Sequence, residues 1–146
     1  FRSFDLIFNP CSMSFISDAR SVFDQSYRVL KSGGRLLCGF TNPTRFIFDE
    51  DKLTQNQLTV RHKLPYGDTT HLTQKELEKL RSTNEPFICS HSLEDLIAGQ
   101  LKAGFTITDM YEDVDDKDPL AEFLPIYFAT LAEKHPPRSA MPTHLT

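Results

Sequence analysis

Cysteine is scarce in this chain of 146 residues. The three cysteines, Cys11, Cys38 and Cys89, form no CxxC pair, and no histidine stands near them at the spacing of a metal site. Their odd number also prevents complete pairing into disulfides. The sequence therefore argues against a disulfide-stapled scaffold and against a zinc module, and it predicts no metal site. The three thiols are predicted as small buried side chains.

Positive charge is also in short supply, since 16 Lys and Arg stand against 20 Asp and Glu, a formal net charge of −4. Proteins that bind nucleic acids neutralise phosphates with clustered Lys and Arg, so this balance argues against such a partner. No apolar run approaches the ~20 residues of a membrane span. The first residues lack the basic, apolar and small-residue succession of a signal peptide. We therefore expect a cytoplasmic protein with no membrane partner.

The first forty or so positions predict a strand, a helix and a second strand, the βαβ unit of a parallel α/β sheet. Residues 4–8 and 35–40 are short apolar runs of the buried-strand type. Between them, Ser17 followed by Asp18 predicts a helix start, and Gly33 is predicted as its left-handed C-cap. The first strand begins close to residue 1, which is not Met, so we expect this chain to be the carboxyl part of a longer protein.

The rest of the chain alternates between loops, two further helices and two further strands. Residues 44–72 are interpreted as an excursion from the sheet, with His62 and His71 solvated. A capping box at 73–76 predicts a short surface helix, and another at 92–95 predicts a helix that ends at Gly104.

Strands are predicted at 105–111 and 125–132. The acidic segment 112–118 is predicted as a solvated loop. We expect residues 1–134 to form one domain and the Pro-rich residues 135–146 to form a flexible tail.

Polar residues at the carboxyl ends of the two parallel strands are the candidates for a site, because ligands of open α/β sheets bind there. The candidate turns are 9–14 and 41–43; a loop that satisfies its own backbone is the alternative. His91, beside a helix start, is the candidate base, with a packing histidine as the alternative. Tyr66 lies in a turn and could line a pocket or be a half-buried aromatic. Gln100 could face the site or be a core amide. The sequence contains no G-x-S-x-G motif, so it gives no support for nucleophilic catalysis.

Two motifs carry a resemblance to a known family. Residues 4–10 read FDLIFNP and residues 27–37 read YRVLKSGGRLL. These resemble the fourth strand and the approach to the fifth strand of class I S-adenosylmethionine-dependent methyltransferases, with Ser32 where that family usually has Pro. Later stretches up to Lys134 are similar to bacterial small-molecule methyltransferases. The resemblance implies an α/β fold, a partial Rossmann-like sheet of strands four to seven with flanking helices.

The resemblance also implies roles for particular residues. Those expected beside the cofactor and its transferred methyl group are Asn9, Pro10, Cys11 and Ser12, with Phe15 turning its aromatic face to the sulfonium. Asn42 and Tyr66 are expected on the substrate side, and His91 is the candidate catalytic base. The implied cofactor is S-adenosylmethionine and the implied acceptor is a small molecule.

The Gly-rich turn and the acidic strand end of this family, which hold the methionine part and the ribose, are missing from this sequence. We therefore expect an incomplete cofactor pocket and a chain that is inactive by itself. An unpaired sheet edge is expected to favour self-association or contact with the missing amino-terminal half. The alternative function is a non-catalytic truncated α/β fold that serves in interaction or dimerisation. A nicotinamide-dependent oxidoreductase half ranks last, because its own Gly-rich fingerprint is equally absent and no motif supports it as residues 30–37 support a methyltransferase.

Overall fold

The computed structural model describes residues 2–136, which form a mixed α/β fold. Its four strands are β1 (Phe4–Asn9), β2 (Leu30–Thr41), β3 (Thr106–Asp113) and β4 (Tyr127–Glu133). The predicted strands are all present. Of the predicted tail, residues 137–146 lie outside the described residues.

The four strands form one sheet in the order β1-β2-β4-β3. β1 and β2 are parallel, as the βαβ pattern predicted, and Asn9 at the end of β1 pairs with Cys38. β4 is antiparallel to both of its neighbours. β1 is therefore an edge strand, and the carboxyl ends of β1 and β2 lie at the same edge of the sheet.

Among residues 2–136, five helices flank or extend this sheet. They are α1 (Ala19–Val29), α2 (Glu50–Leu53), α3 (Asp68–His71), α4 (Gln74–Ser82) and α5 (Gly99–Ala103). A π-helical segment, Glu94–Ala98, leads into α5, and single 3-10 turns follow β1 (Ser12–Phe15) and β2 (Pro43–Ile47).

Two predicted caps of α1 were wrong by a few residues. Asp18, not Ser17, is the N-cap, because its carboxylate accepts a hydrogen bond from the Ser21 amide. The helix ends at Val29, where Leu30 already has extended backbone and begins β2, so Gly33 is not its C-cap. The predicted capping box of α4 is confirmed, with Thr73 and Glu76 each satisfying the other's backbone amide.

The main core lies between one face of the sheet and the helices α1 and α5. The largest fully buried side chains there include Phe23, Leu30, Leu36 and Phe40. Cys38 is fully buried as predicted, whereas Cys11 and Cys89 are only partly buried. Gln100 is a core amide, since it is fully buried and bonds the Leu96 carbonyl and the Thr130 hydroxyl.

The interpretation of residues 4–8 as a buried strand was wrong. Phe4, Leu6 and Phe8 are 53%, 52% and 63% exposed, because they share the face of β1 that α1 does not cover. The inward orientation predicted for Leu93 and Leu101 was also wrong. Both are exposed, since the π-helical segment between them changes the rotation per residue.

A second, smaller core holds the excursion in place. Leu53 from α2 packs with Leu120 and Ile126 from the segment that precedes β4. Asn42 fixes the start of the excursion by donating from Nδ2 to the Pro125 carbonyl at 3.1 Å. Within residues 2–136, none of the helices has the length and apolarity needed to cross a membrane.

Candidate functional site

The loop after β1 is a tight turn whose side chains bond to one another. The Ser12 hydroxyl donates to the Asn9 side-chain oxygen, and Asn9 Nδ2 lies 3.5 Å from the sulfur of Met13. Cys11 has a left-handed backbone and donates its amide to the Gly39 carbonyl of β2 at 3.1 Å. A Cβ at Gly39 would lie 3.2 Å from the Cys11 sulfur, so the close approach of these two segments depends on glycine. The loop is thereby anchored to the parallel strand pair.

A cavity of about 740 Å³ opens at this edge of the sheet. Cys11 and Phe15 line it from the loop after β1, and Thr41 lines it from the end of β2. The ring of Phe15 is 57% exposed. Burial raises the pKa of the Cys11 thiol, so this side chain is a neutral wall and not a thiolate nucleophile. Asn9, Pro10 and Ser12 are absent from the cavity lining, and their role beside the cofactor stays a prediction from the sequence.

Tyr66 also lines the cavity, and its role on the substrate side stays a prediction from the sequence. Its hydroxyl donates to the Asp68 carboxylate at 2.6 Å, and that carboxylate also accepts the Ile88 amide at 2.7 Å. Burial and the bond to Asp68 raise the pKa of the Tyr66 hydroxyl well above its ordinary value. Tyr66 is therefore a neutral side chain of fixed orientation.

Asn42 and His91 lie outside the cavity lining. Asn42 caps the turn after β2, where its side-chain oxygen accepts the Thr44 amide at 3.0 Å. His91 is buried, and its Nε2 lies 3.0 Å from the Met13 carbonyl, to which it can only donate. This bond ties the helix start to the loop after β1. The roles of Asn42 in substrate binding and of His91 as a base stay predictions from the sequence.

The charged wall of the cavity was not predicted. Arg45 makes a bidentate ion pair with Glu50, at 2.8 and 3.1 Å, and contacts Asp118 at 2.8 Å. Burial lowers the pKa of Arg45, but these two carboxylates outweigh that effect and raise it overall. Arg61 contacts Glu76 at 2.7 Å and Asp49 at 3.4 Å.

Two of these charged residues had weak or misleading signals in the sequence. Arg45 follows the predicted turn 41–43 closely and could have been found from its place after the strand. Asp118 belongs to the segment predicted as a solvated loop, and that prediction was wrong for this residue because Arg45 holds it partly buried.

The prediction that His62 and His71 are solvated was also wrong. Both are partly buried in one aromatic group, with ring centroids 4.8 and 5.2 Å from that of Tyr66. Phe46 stacks on Tyr66 from another side, at 6.0 Å and an interplanar angle of 17°. Phe46, His62 and Tyr66 all line the cavity. In the part of the chain that the structure describes, no group of three or more His, Cys, Asp or Glu could hold a metal ion.

Comparison with known proteins shows which proteins this chain resembles. Residues 2–38 match the family described as methyltransferase domain. An uncharacterized methyltransferase of Bacillus subtilis (strain 168), YbaJ, is 43% identical over 112 residues, which are 77% of this chain and 44% of that protein. This chain is thus similar in sequence to methyltransferases. It spans less than half the length of this curated relative.

Solved structures show the same class I fold. A candidate S-adenosylmethionine-dependent methyltransferase from Listeria monocytogenes superposes with a TM-score of 0.68 at 16% identity, over 92% of this chain and 63% of that one. An S-adenosylmethionine-dependent methyltransferase from Mesorhizobium loti gives 0.61 at 13% identity, over 90% and 62%. The predicted fold class is thereby confirmed, and both neighbours are described with the cofactor that the resemblance implied.

The residues present fit one end of that cofactor. The exposed ring of Phe15 beside a cavity suits a sulfonium, because aromatic faces attract cations. The six glycines include no GxGxG turn for the methionine part. In this chain, the loop 9–15 would therefore hold the methyl end of the cofactor.

Proposed function

We propose that this chain is the acceptor-side part of an S-adenosylmethionine-dependent methyltransferase that acts on a small molecule. The observation that carries the proposal is the cavity at the carboxyl ends of β1 and β2, which is lined by Cys11 and Phe15 of the anchored loop and by Tyr66. A cavity of about 740 Å³ is of the size that accommodates small ligands.

The cofactor would supply a positively charged sulfonium whose methyl group is electrophilic. The chain's own contribution is orientation and exclusion of water, which account for much of the rate in a displacement with a good leaving group. Phe15 would face the positive charge. Asn9, whose side chain is bonded by Ser12, would hold the loop that places Cys11 against Gly39.

We further propose that this chain contributes strands four to seven of the sheet and does not complete the cofactor pocket by itself. Its span of 44% of the B. subtilis relative and 63% and 62% of the two structures supports this proposal. The domain limits, 1–134 with a tail at 135–146, and the cytoplasmic location belong to the same proposal.

A non-catalytic interaction module is the second candidate function. The uncovered apolar side chains Phe4, Leu6 and Phe8 on an edge strand favour it, because such a strand can pair with another chain. The two functions differ in whether a completed sheet binds the cofactor.

Light scattering followed by calorimetric titration with S-adenosylhomocysteine tests the proposal. We would titrate the 146-residue chain alone, and then the chain co-expressed with the part of the B. subtilis relative that it does not match. We expect binding only in the co-expressed complex, weakened about tenfold by Asn9→Ala, which frees the loop from its Ser12 bond. Thr44→Ala is the control, since it leaves that loop intact.

A complex that forms but binds neither S-adenosylhomocysteine nor S-adenosylmethionine would overturn the methyltransferase proposal and support the interaction module. Micromolar binding by the chain alone would overturn the proposed incompleteness and leave the methyltransferase function standing.

A further inference from the structure

The charge of the cavity wall favours a cationic ligand. Six of the lining side chains are Asp or Glu, and three are Arg or Lys. Arg45 and Arg61 are each held by two carboxylates, so an anionic ligand would have to displace an existing ion pair. Asp68 is only 4% exposed, and its carboxylate accepts hydrogen bonds from two neutral donors, the Tyr66 hydroxyl and the Ile88 amide. Its negative charge is thus available to attract a cation into the cavity.

The aromatic part of the wall favours a ligand that is itself aromatic. Phe46 and Tyr66 are stacked nearly parallel, and Leu72, Leu80 and Ile88 continue the apolar lining. Aromatic rings pack favourably on such surfaces in offset or edge-to-face geometry, and they also attract cations to their faces. A ring and an ammonium group in the same ligand would use both properties.

His62 offers the ligand an aromatic side chain with a free polar position at the cavity. Its ring lies 4.8 Å from that of Tyr66 and edge-on to His71 at 5.8 Å, and neither ring nitrogen has a hydrogen-bond partner among residues 2–136. The ring of His71 differs, because its Nδ1 contacts the Gly67 amide and the Thr70 hydroxyl. His62 can therefore accept a hydrogen bond from a ligand.

The groups around His62 keep its imidazole neutral. Burial lowers its pKa, and the positive Arg61 and the neighbouring His71 lower it further, against the opposite influence of Asp49 and Glu76. Tyr66, packed on the ring, is neutral as shown above. A neutral imidazole has an unshared electron pair on one nitrogen, which is what an ammonium donor needs.

We propose that this cavity binds an arylalkylamine, with the ligand's ring against Phe46 and Tyr66 and its ammonium group donating a hydrogen bond to His62. This proposal adds an acceptor class, the arylalkylamines, and a base, His62, to the proposed methyltransferase function. It rests on that function for the methylation of the bound amine. In the proton transfer, an N–H bond of the ammonium breaks and an N–H bond forms on the imidazole of His62. The amine nitrogen is left with the electron pair that a methylation requires.

Binding of benzylamine to the 146-residue chain tests the proposal. Calorimetry would give the affinity of benzylamine. The NMR signals of the five histidine rings, assigned with single His→Gln variants, would locate its binding site. Benzyl alcohol and benzoate are the matched neutral and anionic probes. We expect benzylamine to shift the His62 signals and to bind about tenfold more tightly than either probe.

His62→Gln is expected to weaken benzylamine binding about tenfold, whereas the control His71→Gln, in the same aromatic group but absent from the cavity lining, leaves it within twofold. Affinity should also fall as the pH drops through the pKa of His62, since an imidazolium repels the ammonium. His62→Gln should remove this pH dependence. Circular dichroism of each variant confirms that the fold is retained.

Three results would overturn the proposal: benzylamine that does not bind at millimolar concentration, benzoate that binds as tightly as benzylamine, or unchanged affinity in His62→Gln. The outcome is separate from that of the cofactor experiment. If the co-expressed complex binds S-adenosylhomocysteine but the cavity does not bind benzylamine, only the amine assignment is overturned. If the cavity binds benzylamine but the complex does not bind S-adenosylhomocysteine, only the methyltransferase function is overturned.

Discussion

At the scale of single residues, Glu76 shows how a local capping motif acquires a tertiary role. The sequence predicted its capping box with Thr73, because both partners lie within one turn of helix. The ion pair with Arg61, fifteen positions away, could not be predicted from that pattern. Hydrogen bonds from Thr73, together with the one from Arg61, lower the pKa of Glu76 from 4.5 to about 2.

This shift predicts the pH dependence of a Glu76→Gln variant. A carboxylate with a lowered pKa stabilises the fold above its unfolded value near 4.5 and loses that contribution as the pH falls toward 2. We therefore expect Glu76→Gln to melt at a lower temperature than the parent chain at pH 7, with the difference shrinking between pH 4.5 and pH 2. Thermal melts across this range measure it.

Glu78→Gln is the matched control, because Glu78 lies on the same helix and makes no ion pair among the described residues. A difference for Glu76→Gln that persists undiminished at pH 2 would contradict the pKa shift.

Whether the sequence could predict a residue's place in the site depends on how far away in the chain its partners lie. Cys11 and Phe15 line the cavity, and the sequence could predict them because they follow a strand end, which is a local signal. His91 was singled out for its position at a helix start, yet its bond runs to the Met13 carbonyl, 78 positions away. His62 had no local signal, since its partly buried setting depends on Tyr66 and His71 folding against it.

At the scale of elements, the turn from α5 into β3 depends on Gly104. Its φ is +105°, in the left-handed region, and a Cβ there would lie 2.9 Å from the Tyr27 ring. Tyr27 packs edge-on against Phe105 at 5.1 Å, so it cannot retreat without disturbing the main core. The sequence predicted the cap at Gly104 from its position, while the contact with Tyr27 became visible only in the fold.

Gly104→Ala is expected to cost more stability than Gly33→Ala. Both glycines have positive φ, which costs an alanine about 1–2 kcal/mol, but a Cβ at Gly33 would meet nothing within 4 Å. We expect about 1 kcal/mol for Gly33→Ala and about 2–4 kcal/mol for Gly104→Ala, where the overpacking against Tyr27 adds to the strain. Urea unfolding measures both, and equal losses would show that the Tyr27 contact is readily relieved.

At the scale of the whole molecule, β1 presents an uncovered edge and an uncovered face together. Phe4, Leu6 and Phe8 are each more than half exposed, while Ile7 on the opposite face packs on the core. An apolar edge strand of this kind is prone to pair with another chain. We therefore expect the isolated chain to self-associate through β1.

Leu6→Lys should reduce this self-association, because a charge on the exposed face of an edge strand opposes pairing. Light scattering over a range of concentrations would show a lower average mass for the variant than for the parent chain. Leu101→Lys is the control, since Leu101 is similarly exposed, at 51% against 52%, but lies on α5. A parent chain that stays monomeric throughout, or an equal effect of both variants, would contradict the assignment to β1.

The sequence by itself determined the α/β class, the parallel pair β1 and β2, the capping box of α4 and the loop that begins the site. Each of these depends on neighbours within a few positions, where apolar periodicity and caps act directly. Only the tertiary structure decided that β1 is an exposed edge, that the excursion 44–72 folds back as the charged and aromatic wall, and that His62 rather than His91 lines the cavity. These features depend on contacts between segments far apart in the chain, such as Arg45 with Asp118, and no local pattern records which distant partner a side chain will meet.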